Sequence, residues 1–133
     1  MQAAVPQGEK LLVLLSWPSL LDFQRNPIFV MDHPAEIGPP GLPPANDAAA
    51  WSRYLRSLGI DYVAYSYGDQ AVYTKEWALR DIAQYSRPES RSRLMIEFAT
   101  AHIAMRETLL TLAHTHKLVY DDGKEFVIYL DQG

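Results

Sequence analysis

The sequence predicts an α/β fold, a Rossmann-like three-layer sandwich with a mostly parallel sheet and a C-terminal antiparallel hairpin. Three observations lead there. Short apolar runs bounded by breakers, at 11–15 and 28–31, have the character of strands buried on both faces. Segments of helical apolar periodicity alternate with such strands, the order expected of parallel βαβ units. The chain then closes on two alternating segments around Asp122-Gly123, a hairpin signature.

The totals fit this class. At 133 residues the chain makes one domain, able to bury roughly two-thirds of the surface that its unfolded form exposes. Its 48% hydrophobic and 21% charged content is that of a globular protein. A net charge of −4 argues against nucleic acid as a partner, since phosphate neutralisation needs a clustered basic surface. Arg87, Arg91 and Arg93 lie close together, but Glu89 sits among them, and they suit a solvated helix start. The absence of cysteine excludes disulfides, thiolate zinc sites and cysteine nucleophiles without choosing a compartment.

Taken in order, residues 1–9 are polar and read as a flexible tail; residues 10–131 form the single domain. The stretch "KLLVLLSWPSLL" is the greasiest of the chain. Its uncharged run, 11–21, is 11 residues long and broken by Pro18, whereas a bilayer span needs about 20 apolar residues. Glu9 offsets Lys10 and "DFQRNP" follows the run, a poor match to a signal peptide. The run is therefore a buried strand. "PSLLDFQRN" predicts a short helix with Ser16 as cap and Leu20, Leu21 and Phe23 facing inward. "PIFVMD" supplies the second strand. Residues 32–47 hold five prolines and two glycines and make a long surface loop inside the domain.

Asn46 or Asp47 caps the next helix, with Trp51, Tyr54, Leu55 and Leu58 on one face and Gly59 as its stop. "IDYVAYSY" is the third strand, rich in aromatic and β-branched side chains. Thr74 caps a short helix reaching Ile82. From about Pro88 to His116 runs the longest helical pattern. Leu94, Phe98, Ala101, Met105, Leu109 and Leu112 form its core stripe, and Ile96, Ile103 and Leu110 a second stripe almost opposite. That second stripe suits a flank under a loop or a contact with another body.

Ligands of such sheets bind beyond the carboxyl ends of strands, where strand order reverses. Three strand ends carry suitable chemistry: Ser16 and Trp17, then Asp32 and His33, then Tyr67 and Asp69. If the second and third strands flank the first, these groups converge. Aromatic rings stack on sugar faces and carboxylates accept hydroxyl hydrogen bonds, so the ligand expected is a sugar or nucleotide. Asp32-His33-Pro34 also suits a loop start, and Asp69 a turn. "SWPS" lacks the glycines of a phosphate loop, and no G-x-S-x-G elbow is present. His114 and His116 are not an i, i+4 pair, so no metal site is expected. The spacing of the acidic residues singles out no catalytic pair, and no cofactor is expected.

"LLSWPSLLDFQRNPIFVMDHP", "WSRYLRSLGIDYVAYSY" and the closing "LVYDDGKEFVIYL" together resemble the soluble C-terminal domain of polytopic bacterial glycosyltransferases. These are the enzymes related to dolichyl-phosphate-mannose protein mannosyltransferases. The resemblance spans most of residues 11–130 and implies an α/β domain placed after the last transmembrane helix, on the periplasmic face of the membrane. Without it the location expected is cytoplasmic. The family's catalytic acid lies in an early loop between membrane helices, to which nothing here corresponds, so no catalytic residue is carried over. The resemblance implies a fragment whose partner is a missing transmembrane portion, and which assists recognition of an acceptor or a lipid-linked sugar headgroup without catalysing transfer. The alternative is a free-standing module binding a sugar or nucleotide; a third reading is a cytoplasmic hydrolase or transferase with an unrecognised site.

Overall fold

The computed structural model describes residues 1–15, 20–30, 47–66 and 75–130. Among them, five strands form one sheet in the order β2-β1-β3-β5-β4. The strands are β1 (Lys10–Leu14), β2 (Ile28–Val30), β3 (Ile60–Ser66), β4 (Lys117–Asp121) and β5 (Glu125–Tyr129). The described helices are α1 (Ala48–Ser57), α2 (Lys75–Tyr85) and α3 (Arg93–Thr115). The pairs β1–β2 and β1–β3 are parallel, and β3–β5 and β4–β5 antiparallel. The fold is thus mixed α/β with the predicted closing hairpin, folded back so that β5 lies inside and β4 at the edge. The expected Thr74 cap, and the expected loop up to residue 46, lie outside the described residues.

β1 is the central parallel strand because its residues are apolar enough to be covered twice. Leu12 faces the main core with Trp51, Leu55, Val63, Met105, Leu109, Leu112, Phe126 and Ile128, while Leu11 and Val13 join Val5, Ala64 and Val127 on the other face. Leu11, Leu12 and Val13 are all fully buried, as a continuous apolar run requires. α1 and α3 cover the main-core face. Truncating Trp51 or Phe126 there leaves a cavity that costs about 3–5 kcal/mol.

Among the described residues, the second face is covered by the N-terminal segment rather than by a long helix. Val5 is fully buried behind a 3-10 turn at Gln2–Ala4. The polar composition of residues 1–9 predicts a flexible tail, yet backbone carbonyls here find specific donors. Arg25 donates to Val5 O at 2.8 Å, and Asn26 Nδ2 donates to Pro6 O and Glu9 O at 2.8 and 2.9 Å. In the described part of the short helix expected before β2, Leu20 is in a 3-10 turn and residues 21–26 are not helical. The Asp22 carboxylate accepts from the Gln24 and Arg25 amides, closing a turn that competes with helix. Leu21 packs on the second core, but Leu20 and Phe23 are exposed, contrary to expectation.

The helix boundaries follow their caps. Asp47 accepts from the Ala50 amide at 3.0 Å and starts α1; Gly59, at φ +78°, lets the chain turn into β3. α3 starts later than the sequence pattern suggests, because Pro88–Ser90 is a separate 3-10 turn and Ser92 is the cap, accepting from the Met95 amide. Of its predicted core stripe, Met105, Leu109 and Leu112 are buried, while Leu94 is 75% exposed. α2 packs antiparallel along the first half of α3, with Lys75 paired to Glu107 at one end and the Ser92 amide bonded to Tyr85 O at the other. Ile96, Ile103 and Leu110 share the Glu107 side of α3 by helical spacing and are half-buried, and Leu110 packs on the main core.

Candidate functional site

Strand order decides which groups share an edge. β2 and β3 flank β1, all three parallel, with Val13 in register with Val30 and Ala64, and Leu14 with Tyr65. The carboxyl ends of the three strands, Leu14, Val30 and Ser66, therefore stand side by side. The order reverses at β1: the chain goes outward to β2 and then back across β1 to β3. This is the geometry in which an open α/β sheet leaves a crevice between diverging connections.

All six residues singled out from the sequence, Ser16, Trp17, Asp32, His33, Tyr67 and Asp69, lie outside the described residues. What is described is the strand end that precedes each pair in the chain, and those three ends are adjacent.

The same edge carries the β4–β5 turn, since Ser66 is in register with Glu125 and Asp121 with Phe126. Gly123, at φ +84°, supplies the turn, and the carboxylates around it are tied to backbone. Asp122 accepts from the Lys124 and Glu125 amides, each at 2.9 Å, and Asp121 accepts from the Gly123 amide at 3.0 Å. The Glu125 and Lys124 amides hold the Asp122 carboxyl below the ordinary carboxylate range. The Tyr120 hydroxyl donates to Asp122 at 3.0 Å, a bond that pushes the phenol pKa up because ionisation would lose it.

Behind this edge, Tyr65 is buried between Phe126, at a ring distance of 5.5 Å, and Arg106, whose Nη1 donates to its hydroxyl at 3.2 Å. Burial pushes the Tyr65 phenol up, and Arg106 partly offsets it. Among the described residues, this edge thus carries the turn carboxylates, and the main core beside it holds the Tyr65–Arg106 hydrogen bond. The sequence pattern marks Asp122-Gly123 as a turn alone and does not single out Tyr65 or Arg106. The sequence places Arg106 directly after Met105, at the head of the polar triplet Arg106-Glu107-Thr108.

The three described histidines stand elsewhere. His102 packs on Phe98 at a ring distance of 4.5 Å, His114 is exposed, and His116 lies 3.4 Å from the Ser52 hydroxyl. Among the described residues, no group of three or more His, Cys, Asp or Glu side chains is arranged to hold a metal ion. No helix among them is long and apolar enough to cross a membrane. No family model matches the chain, and no curated protein or solved structure matches it.

Proposed function

We propose that this chain is a non-catalytic, ligand-recognising domain of a membrane glycosyltransferase-like protein, acting on an acceptor or on the headgroup of a lipid-linked sugar. The observation that carries this reading is the adjacency of the β2, β1 and β3 carboxyl ends. Each of those ends leads in sequence to a pair bearing sugar-binding chemistry: Ser16 and Trp17, Asp32 and His33, Tyr67 and Asp69. In this reading the fold is a Rossmann-like three-layer sandwich whose second outer layer is irregular, formed by the N-terminal turn and the segment around Leu21. The domain sits on the periplasmic face of a bacterial membrane, and its partner is the transmembrane portion of the same protein.

The test is a binding titration of the purified chain with a polyprenyl-phosphate sugar and with free sugars and sugar nucleotides. The expected result is saturable binding with no sugar transfer. Asp32→Ala and Asp69→Ala each abolish binding while leaving the melting temperature nearly unchanged. Turnover by the chain alone, or binding indifferent to both substitutions, overturns the reading. Binding of free nucleotides in preference to the lipid-linked sugar supports instead a free-standing small-ligand module, which the same strand-end geometry serves.

A further inference from the structure

We propose that Ser52 is an activated nucleophile, with His116 as its general base, and that it accepts the acyl group of an activated ester. Packing of α1 against the end of α3 joins the two across 64 residues of sequence. Ser52 is 8% exposed, and its hydroxyl stands 3.4 Å from Nε2 of His116, the residue that closes α3. That spacing is loose, as nucleophile–base pairs commonly are before substrate tightens them. Hydroxyls elsewhere in the helices and at their ends commit their proton to their own backbone: Ser57 donates to Tyr54 O, Ser86 to Ile82 O and Thr111 to Glu107 O. Ser52 makes no such bond, and its hydroxyl faces the imidazole.

Thr115 orients the base. Its Oγ1 donates to Thr111 O at 3.1 Å and therefore meets His116 Nδ1, 3.0 Å away, as an acceptor. The imidazole proton is held on Nδ1, and Nε2 presents its lone pair to Ser52. A hydroxyl, a base within reach and a third group that fixes the base make up the arrangement nucleophilic catalysis requires. His116 is half-buried and Thr115 exposed, so the base lies at the rim of the core. Among the described residues no other side chain bonds the Ser52 hydroxyl. With no second donor to stabilise an oxyanion, the leaving group has to depart readily, which selects phenyl esters and thioesters.

In acylation the bond from Ser52 Oγ to the acyl carbon forms and the bond to the leaving group breaks. The Ser52 proton passes to His116 Nε2 and on to the departing phenolate or thiolate. Water then attacks the acyl-serine and gives a proton to Nε2, which returns it to Ser52 Oγ as the carboxylic acid leaves. His116 precedes Lys117, which is in register with Tyr129 and through it with Tyr62 near the start of β3. The pair thus lies at the amino edge of the sheet, opposite the strand ends proposed for a sugar. It concerns acyl chemistry alone, and it stands or falls independently of the sugar-binding reading.

Two probes applied to the full chain test it: a fluorophosphonate, which traps a hydroxyl nucleophile as an O–P bond forms and fluoride leaves, and p-nitrophenyl acetate. One adduct should form and map to Ser52 by mass spectrometry, with p-nitrophenolate released above the buffer rate. Ser52→Ala should abolish both while keeping a cooperative melting transition. His116→Gln should slow both about a hundredfold or more. Thr115→Val should slow them at an unchanged melting temperature, and Thr115→Ser, which keeps the acceptor oxygen, should restore them; a role in helix stability alone would not give that pattern. No adduct on the folded parent, an adduct on another residue, or labelling that survives His116→Gln each overturns the proposal.

Discussion

Arg106 donates from its guanidinium to the Tyr65 hydroxyl at 3.2 Å, joining the middle of α3 to the carboxyl end of β3. Burial raises the Tyr65 pKa and Arg106 lowers it, with burial the larger effect. The folded state therefore holds this proton more tightly than the unfolded chain, whose tyrosines ionise near pH 10. The resulting stabilisation is fully present below about pH 10 and is lost as pH rises through the higher folded value. Subtracting the alkaline titration of Tyr65→Phe from that of the parent should reveal one phenol ionising above the ordinary range. A difference curve centred at the ordinary value would refute the assignment. At neutral pH, Tyr65→Phe should cost about 1.5–3 kcal/mol, the worth of one hydrogen bond to a charged donor.

Asn26 is fully buried and holds the N-terminal segment to the second face of the sheet. Its amide nitrogen donates to Pro6 O and Glu9 O, and its oxygen accepts from Gln2 Nε2 at 3.1 Å. Replacement by alanine leaves two carbonyls without these donors, at a cost of about 2–3 kcal/mol. Replacement by aspartate should cost more, since it also turns a donor into a carboxylate facing two carbonyl oxygens. Urea denaturation of the two variants checks both the size and the order; an aspartate variant as stable as the parent would show that the segment is not docked.

How much of this is legible in the sequence varies with the range of the interactions involved. α1, β3 and the hairpin are readable because their signals are local: the Asp47 cap, the Gly59 stop, the alternation around Gly123. Pro88 suits the first turn of a helix, and no apolar residue before Leu94 fixes where the helical pattern starts, so a start at Pro88 overstates α3 by about a turn. Docking of Val5 depends on Arg25 and Asn26, which bond to Val5 and Pro6 from 20 residues away, and no window around residues 1–9 contains that information. The convergence of the candidate site is conditional on strand order. That order is set by which faces of β1 and β3 are apolar enough to be covered twice, a property of the packed sheet rather than of any strand-end motif.

Gly59 and Lys10 meet where α1 hands over to β3. The Lys10 ammonium donates to Leu58 O at 3.1 Å, satisfying a carbonyl that the helix end leaves open. A β-carbon on Gly59 would come within 3.3 Å of Lys10 Nζ, and the residue sits at φ +78°. Gly59→Ala should therefore lose about 1–2 kcal/mol from backbone conformation alone, and more if Lys10 has to give up Leu58. Gly59→Asn should lose less of the conformational part, because asparagine tolerates the left-handed region. Equal stability of the parent and both substituted proteins in chemical denaturation would rule out the positive φ.

Ser52 and His116 define a hydrogen-bonded chain whose direction can be worked out. Thr115 Oγ1 donates to Thr111 O at 3.1 Å, which uses its only proton. It can then face His116 Nδ1 at 3.0 Å only as an acceptor, so the imidazole carries its proton on Nδ1. That leaves Nε2 as a lone pair for the Ser52 hydroxyl, 3.4 Å away and buried between α1 and the start of β4. Nitrogen NMR at a pH where the ring is neutral should show the Nδ1–H tautomer, the less common one in free histidine. Ser52→Ala should shift the His116 signals and cost about 1 kcal/mol, whereas Thr115→Val should release the tautomer toward Nε2–H. A ring already protonated on Nε2 in the parent protein would reverse the chain and make Ser52 the acceptor.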